Sequence, residues 1–155
     1  MKRCFLLFFL LILFTLPCLA QSGIDYFKGT WTVTMKDGPE GGFNWNVDSA
    51  LDGSWLGGVV TREGKEISKD FWRQDGKTIE RFAFSSDGFF LKISSSGWNG
   101  DKLVFTGSAS NKSGEFNVRE TITKVNAHRF LALWERQGQD GKWMIFSDET
   151  CTRHN

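Results

Sequence analysis

Apolar and polar residues alternate along most of this chain with a period of two. Trp31, Val33 and Met35 fall on one face of a segment whose other face is Thr30, Thr32 and Thr34. Phe43, Trp45, Val47 and Leu51 oppose Asn44, Asn46 and Asp48. Phe89, Leu91 and Ile93 are separated by polar Lys92, and Phe116, Val118 and Ile122 alternate with Asn117, Arg119, Thr121 and Thr123. That period is the mark of half-buried β-strands, whose successive side chains point to opposite faces. It predicts ten strands, over about 28–36, 43–51, 55–62, 67–73, 78–84, 89–95, 102–108, 115–124, 129–137 and 143–153.

Turn chemistry separates these segments. Asp-Gly pairs stand at residues 37–38, 52–53, 75–76, 87–88 and 140–141, and Asn99-Gly100 adds another pair of the same kind. These dipeptides accept positive φ in tight hairpins. Gly64, Gly76, Gly88 and Gly100 recur at a strand-plus-turn spacing, which leaves no room for helices of ordinary length. Ten hairpin-linked strands make a sheet too wide to stay flat and open. The fold class predicted is therefore all-β, an antiparallel up-and-down β-barrel of about ten strands over residues 21–155. Its interior is either filled or encloses a cavity for a small molecule.

Residues 1–20 break the pattern. Basic Lys2 and Arg3 precede a nearly unbroken apolar run from Cys4 to Leu16, and Pro17, Cys18, Leu19 and Ala20 follow. This is the plan of a secretory signal peptide with cleavage after Ala20. It implies a secreted or periplasmic protein with no membrane insertion once the signal is removed. A retained anchor and lipid attachment at Cys18 are the alternative readings. Export also changes the charge. Without Lys2 and Arg3 the 19 basic residues fall to 17 against 18 acidic ones. That near-neutral balance is wrong for a dedicated nucleic-acid binder. Of 3 Cys only Cys151 remains after cleavage, so an apolar core and not a disulfide must hold the domain. Cys151 is read as a buried structural thiol. The strands are mostly too short, and too interrupted by Lys and Glu, for an outer-membrane barrel.

Candidate chemistry is sparse. Two His and one remaining Cys are too few for a typical His/Cys metal site. No phosphate-binding glycine loop and no serine nucleophile elbow occurs. No cofactor is expected. Asn111-Lys112-Ser113 matches a glycosylation acceptor, a three-residue pattern common by chance. The seven Trp, spread over nearly every hairpin, either fill the core or line an apolar pocket. Arg81 and Arg119 lie in mid-strand, where a charge must face solvent or a cavity. The alternation of Arg119 with Val118 and Ile122 favours solvent. In a hollow barrel that logic inverts, and Arg119 with Arg153 would hold a ligand carboxylate.

Phe27-Lys28-Gly29-Thr30-Trp31 at one end of the domain and Asp148-Glu149-Thr150-Cys151-Thr152-Arg153 at the other resemble the calycin superfamily. That group includes lipocalins, fatty-acid-binding proteins and nitrobindin-like barrels. The resemblance implies that Trp31 closes one end of the barrel with the Arg153 side chain packed on it. The tail from Phe130 to Arg153, with Asp140-Gly141-Lys142-Trp143 inside it, also looks like a family of secreted bacterial lipocalin-like proteins. There are departures. Residues 37–42 are too few for the helical lid of fatty-acid-binding proteins, and Asn155 stands where their carboxylate-binding Tyr would be. Neither His128, in a turn, nor His154, near the chain end, is placed to ligate haem.

The function expected is the binding of a small hydrophobic or amphipathic ligand inside the barrel, with Trp31, Trp45, Arg81, Arg119, Trp134 and Arg153 as candidate ligand-binding residues. Two other readings stand beside it. One is a cavity-based hydrolase or isomerase, for which Glu120 with Arg119 and Asp148 with His128 are the pairs of interest. The other is an interaction module with a filled barrel, anchored by Trp55 or Trp98. The sequence leaves the oligomeric state open.

Overall fold

The computed structural model describes residues 23–38 and 40–154. The proposed signal peptide lies outside them. Eleven strands follow one another: β1 (Gly29–Met35), β2 (Phe43–Ala50), β3 (Trp55–Arg62), β4 (Lys65–Asp75), β5 (Thr78–Ser85), β6 (Phe90–Ser95), β7 (Trp98–Asn99), β8 (Lys102–Asn111), β9 (Gly114–Asn126), β10 (Arg129–Gln137) and β11 (Trp143–Arg153). Each long strand pairs antiparallel with its neighbour in sequence. β1 pairs with β11, and β6 with β8, so ten strands close on themselves. The predicted barrel of ten strands is observed. The two-residue β7, which was not expected, pairs only with the start of β8.

The turn residues behave as their chemistry requires. Gly88, between β5 and β6, has φ 91°, a conformation that costs a side-chain-bearing residue energy. The Asp87 carboxylate accepts the Phe89 amide at 3.1 Å and fixes the same turn.

Inward side chains grade from large to small along the barrel axis. β4 presents Trp72, Asp70 and Ser68 in turn, and β5 presents Ile79, Arg81 and Ala83. β10 runs from Phe130 to Ala132 before Trp134, and β8 from Leu103 and Phe105 to Ala109. The end holding the large residues is solid. Tyr26, Phe27, Trp31, Trp45, Trp72 and Phe130 pack there, all at most 5% exposed. Their rings meet edge-on or tilted, as with Trp31 and Phe130 at 4.9 Å and Phe27 and Trp72 at 4.6 Å.

A short 3-10 helix, Gly23–Phe27, plugs that end. Trp31 Nε1 donates to the Phe27 carbonyl at 2.7 Å, and Trp98 Nε1 donates to the Gly23 carbonyl at 3.2 Å. The Tyr26 hydroxyl donates to the Asn126 carbonyl at 2.9 Å. Each of these three polar ring tips thus satisfies a backbone group of the plug or of a neighbouring turn.

Trp31 lies directly between Trp45 on β2 and Arg153 on β11 in the strand register. The Arg153 guanidinium stacks 4.3 Å from the Trp31 ring and donates to the carbonyls of Lys28 and, at 2.5 Å, Tyr26. It therefore ties the last strand to the plug. Replacing Arg153 with Met keeps an apolar stem over Trp31 but removes both charge-assisted bonds. A loss of about 2 kcal/mol is expected, read as a lower urea midpoint with an unchanged m-value.

Candidate functional site

The other end of the barrel is hollow. A cavity of about 300 Å³ lies between the small residues Val60, Ser68, Ala83 and Ala132. Its outer wall is Met35, Phe43, Phe89 and Phe146. These four lie beside the chain reversals at 36–42, 86–88 and 138–142, so the cavity opens at that end. Phe146 is 45% exposed and forms part of the rim.

The floor is polar. Arg81 on β5 reaches across the barrel to Glu120 on β9, with Nη1 2.9 and 2.8 Å from the two carboxylate oxygens. Its Nε and Nη2 lie 3.1 and 3.0 Å from Oδ2 of Asp70 on β4. The guanidinium also lies 4.4 Å from the Trp72 ring and 5.5 Å from the Trp134 ring. Asp70 accepts from two indoles besides: Trp45 Nε1 at 3.1 Å and Trp72 Nε1 at 2.8 Å. Three strands and two tryptophans thus converge on one carboxylate that is 1% exposed.

Gly58 on β3 makes room for this convergence. A Cβ there would lie 1.8 Å from Asp70 Oδ1 and 2.4 Å from Trp45 Nε1. Any larger residue would push apart the Trp45–Asp70 bond.

Burial works against the Arg81 charge, but Glu120 and Asp70 together hold its pKa raised. Burial pushes the Glu120 carboxyl up to about 7, against the attraction of Arg81. Glu149 on β11 is also raised, again mainly by burial, with hydrogen bonds from Ser147 and Trp134 and the charge of Arg81 opposing. Ser147 Oγ donates to Glu149 Oε1 at 2.9 Å, and both residues line the cavity. Cys151 is free and buried, and burial pushes its thiol up, which suits the inert structural role expected of it.

Of the residues singled out from sequence, Trp45, Arg81 and Trp134 meet at the cavity. Trp31 and Arg153 sit at the solid end and do not line it. Arg119 is on the outer face, as the alternation of β9 favoured. It pairs with Glu135 at 2.6 Å and stacks on Trp143 at 4.7 Å. Its inverted reading, as a cavity arginine beside Arg153, does not match this position. Period two puts Glu120, its neighbour in sequence, on the inner face, so those two do not form an acid–base pair. Asp148 and His128 are both exposed. Trp98 packs against the plug, with the Lys124 ammonium 3.7 Å from its ring. Trp55 is half-buried beneath Arg73 at 5.4 Å. Among the described residues no group of three His, Cys, Asp or Glu converges to hold a metal.

Sequence reasoning missed Ser147 and Glu149 as cavity residues and Asp70 as the buried partner of Arg81. The signal for Asp70 was the shared face of Ser68, Asp70 and Trp72, masked because Phe71 lies on the outer face. For Ser147 and Glu149 it was their spacing of four and two from Cys151, an inward residue. Comparison with protein-family models finds no match, and no curated protein matches the sequence.

Replacing Arg81 with Met leaves two buried carboxylates without a cation and should destabilise the fold by about 3–5 kcal/mol at pH 8. The loss should be smaller at pH 5, where Glu120 takes up a proton. Denaturant unfolding at both pH values measures the difference. The parent protein should carry the same signature. Unfolded, Glu120 releases its proton near 4.5; folded, it keeps it to about 7. Between those values the native state binds more protons, so this group lowers stability as pH rises. Glu120→Gln should flatten that part of the stability–pH curve, and an unchanged slope would count against the raised carboxyl.

Proposed function

We propose that this protein is a binding protein, whose barrel takes up a small apolar or amphipathic molecule at its hollow end. The observation that carries the reading is the cavity itself. About 300 Å³ of space, walled mainly by aliphatic and aromatic side chains over a fixed polar floor, is at the lower end of the size range of small-molecule sites. A core built only for stability would fill such a space, because an unfilled cavity weakens the fold in proportion to its volume. The ligand would gain roughly 25 cal/mol for each Å² of apolar surface removed from water. The rigid floor and closed opposite end hold the walls in place before binding, which limits the ordering cost. The solid end, with Arg153 over Trp31, supports a calycin-like reading of the barrel, and binding inside the barrel is the activity that reading implies. Export through the N-terminal signal would place this binding outside the cytoplasm.

The test is displacement by filling. Val60 lines the cavity and is only partly buried, so Val60→Trp adds an indole where the ligand would lie. The neutral fluorophore N-phenyl-1-naphthylamine should brighten on mixing with the parent protein. With Val60→Trp its affinity should fall about tenfold or more, with unfolding little changed. Absence of binding to the parent, or equal binding to both proteins, would sink the proposal.

A further inference from the structure

The cavity is unbalanced in charge. Its lining carries the carboxyls of Glu120 and Glu149 against one guanidinium, Arg81, which the buried Asp70 also holds. Arg81 is already committed on every nitrogen: Nε and Nη2 to Asp70, Nη1 to Glu120. Glu149 is different. Its hydrogen-bond donors, the Ser147 hydroxyl and Trp134, are neutral. Among the described residues no Lys, Arg or His forms an ion pair with it. The residues beside it in register are Ala132 on β10 and Met35 on β1, neither of which carries a charge. Its carboxyl therefore lines an apolar chamber above a floor whose only cation is occupied.

Resting on the binding reading above, we infer that the ligand is an apolar amine, whose protonated nitrogen docks on the Glu149 carboxylate while its hydrocarbon part fills the space between Val60, Ala83 and Ala132. A ligand carboxylate would add a further negative charge and meet a guanidinium whose three nitrogens already lie against Asp70 and Glu120. An ammonium supplies the missing positive charge and a charge-assisted hydrogen bond, which is stronger than a neutral one. Binding then also draws the proton from Glu149. The charged and titratable groups around that carboxyl are Glu120 from β9, Arg81 from β5, and Asp148 and Cys151 from β11 itself. Burial raises the Glu149 carboxyl, so amine affinity rises with pH as the proton leaves, across a range where the ammonium stays charged.

Three water-soluble probes of matched shape test this by calorimetry: 4-phenylbutylamine, 4-phenylbutan-1-ol and 4-phenylbutyrate. At pH 7.5 the amine should bind about tenfold tighter than the alcohol, with the carboxylate weakest. The amine's advantage over the alcohol should be larger at pH 7.5 than at pH 5, where the raised Glu149 carboxyl holds its proton more fully. In Glu149→Gln the alcohol should bind as before, while the amine loses most of its advantage. If the alcohol binds but the amine is no tighter, or the carboxylate is tightest, the head-group assignment is wrong and the cavity reading survives. The head-group assignment also fails if Glu149→Gln leaves the amine advantage intact. If none of the three binds the parent protein, both readings fall. Should Glu149→Gln not fold, the ranking in the parent protein and its change between pH 5 and pH 7.5 decide alone.

Discussion

Arg81 sits where the barrel changes from solid to hollow, and its charge cannot stand there alone. Taking a lone ion out of water costs many kcal/mol, and only close countercharges with well-made hydrogen bonds offset that. Glu120 supplies one countercharge from the far wall, and Asp70 supplies the other from the neighbouring strand. Asp70 also accepts the indole N–H groups of Trp45 and Trp72, which would otherwise be buried without partners. Removing any member strands another, so the cluster holds or fails as a unit. β2, β4, β5 and β9 all contribute to it, and their relative heights in the barrel are fixed by it.

The cavity follows from this floor together with the grading of side-chain size. Below Arg81 the inward positions are Trp, Phe, Tyr, Ile and Leu, and they close-pack. Above it, Ala83, Ala132, Ser68 and Val60 are too small to meet across the barrel. The floor cannot rise to fill the gap, because its bonds hold it in place. The walls cannot collapse inward either, because every barrel strand is bonded on both sides. Small residues alone would have let the core shrink; small residues above a rigid polar layer leave a hollow.

Much of the architecture was legible because it is local. A strand's faces follow from alternation, and its ends follow from Asp-Gly and Asn-Gly turns, so the ten barrel strands and their order could be reasoned from nearby residues and closure, while the meeting of Trp31 with Arg153 was implied by the calycin resemblance. The site was less legible because its partners meet across the barrel. Arg81 finds Glu120 39 residues away, and nothing in the sequence around either residue names the other. Alternation was also blurred where it mattered. Phe71, Phe82 and Phe84 lie on the outer face, so the neighbouring Asp70 and Arg81 do not read as inward residues by polarity alone. Inward direction there is set by register with Trp72 and Ile79, which strand pairing fixes and composition does not.

The three mid- or end-strand arginines weigh against the carboxylate ligand expected from the sequence. Arg153 spends its donors on the carbonyls of Lys28 and Tyr26, Arg119 on Glu135 outside the barrel, and Arg81 on Asp70 and Glu120. Each is already held by the protein's own acceptors away from any ligand, so the presence of arginine near a cavity does not by itself make an anion site. The unsatisfied capacity belongs to the opposite sign. With Arg81 consumed by two carboxylates, Glu149 is the lining group whose charge the protein leaves unbalanced. A group in that position favours whatever brings a proton donor or a positive charge into the chamber, because only such a partner relieves the cost of its burial.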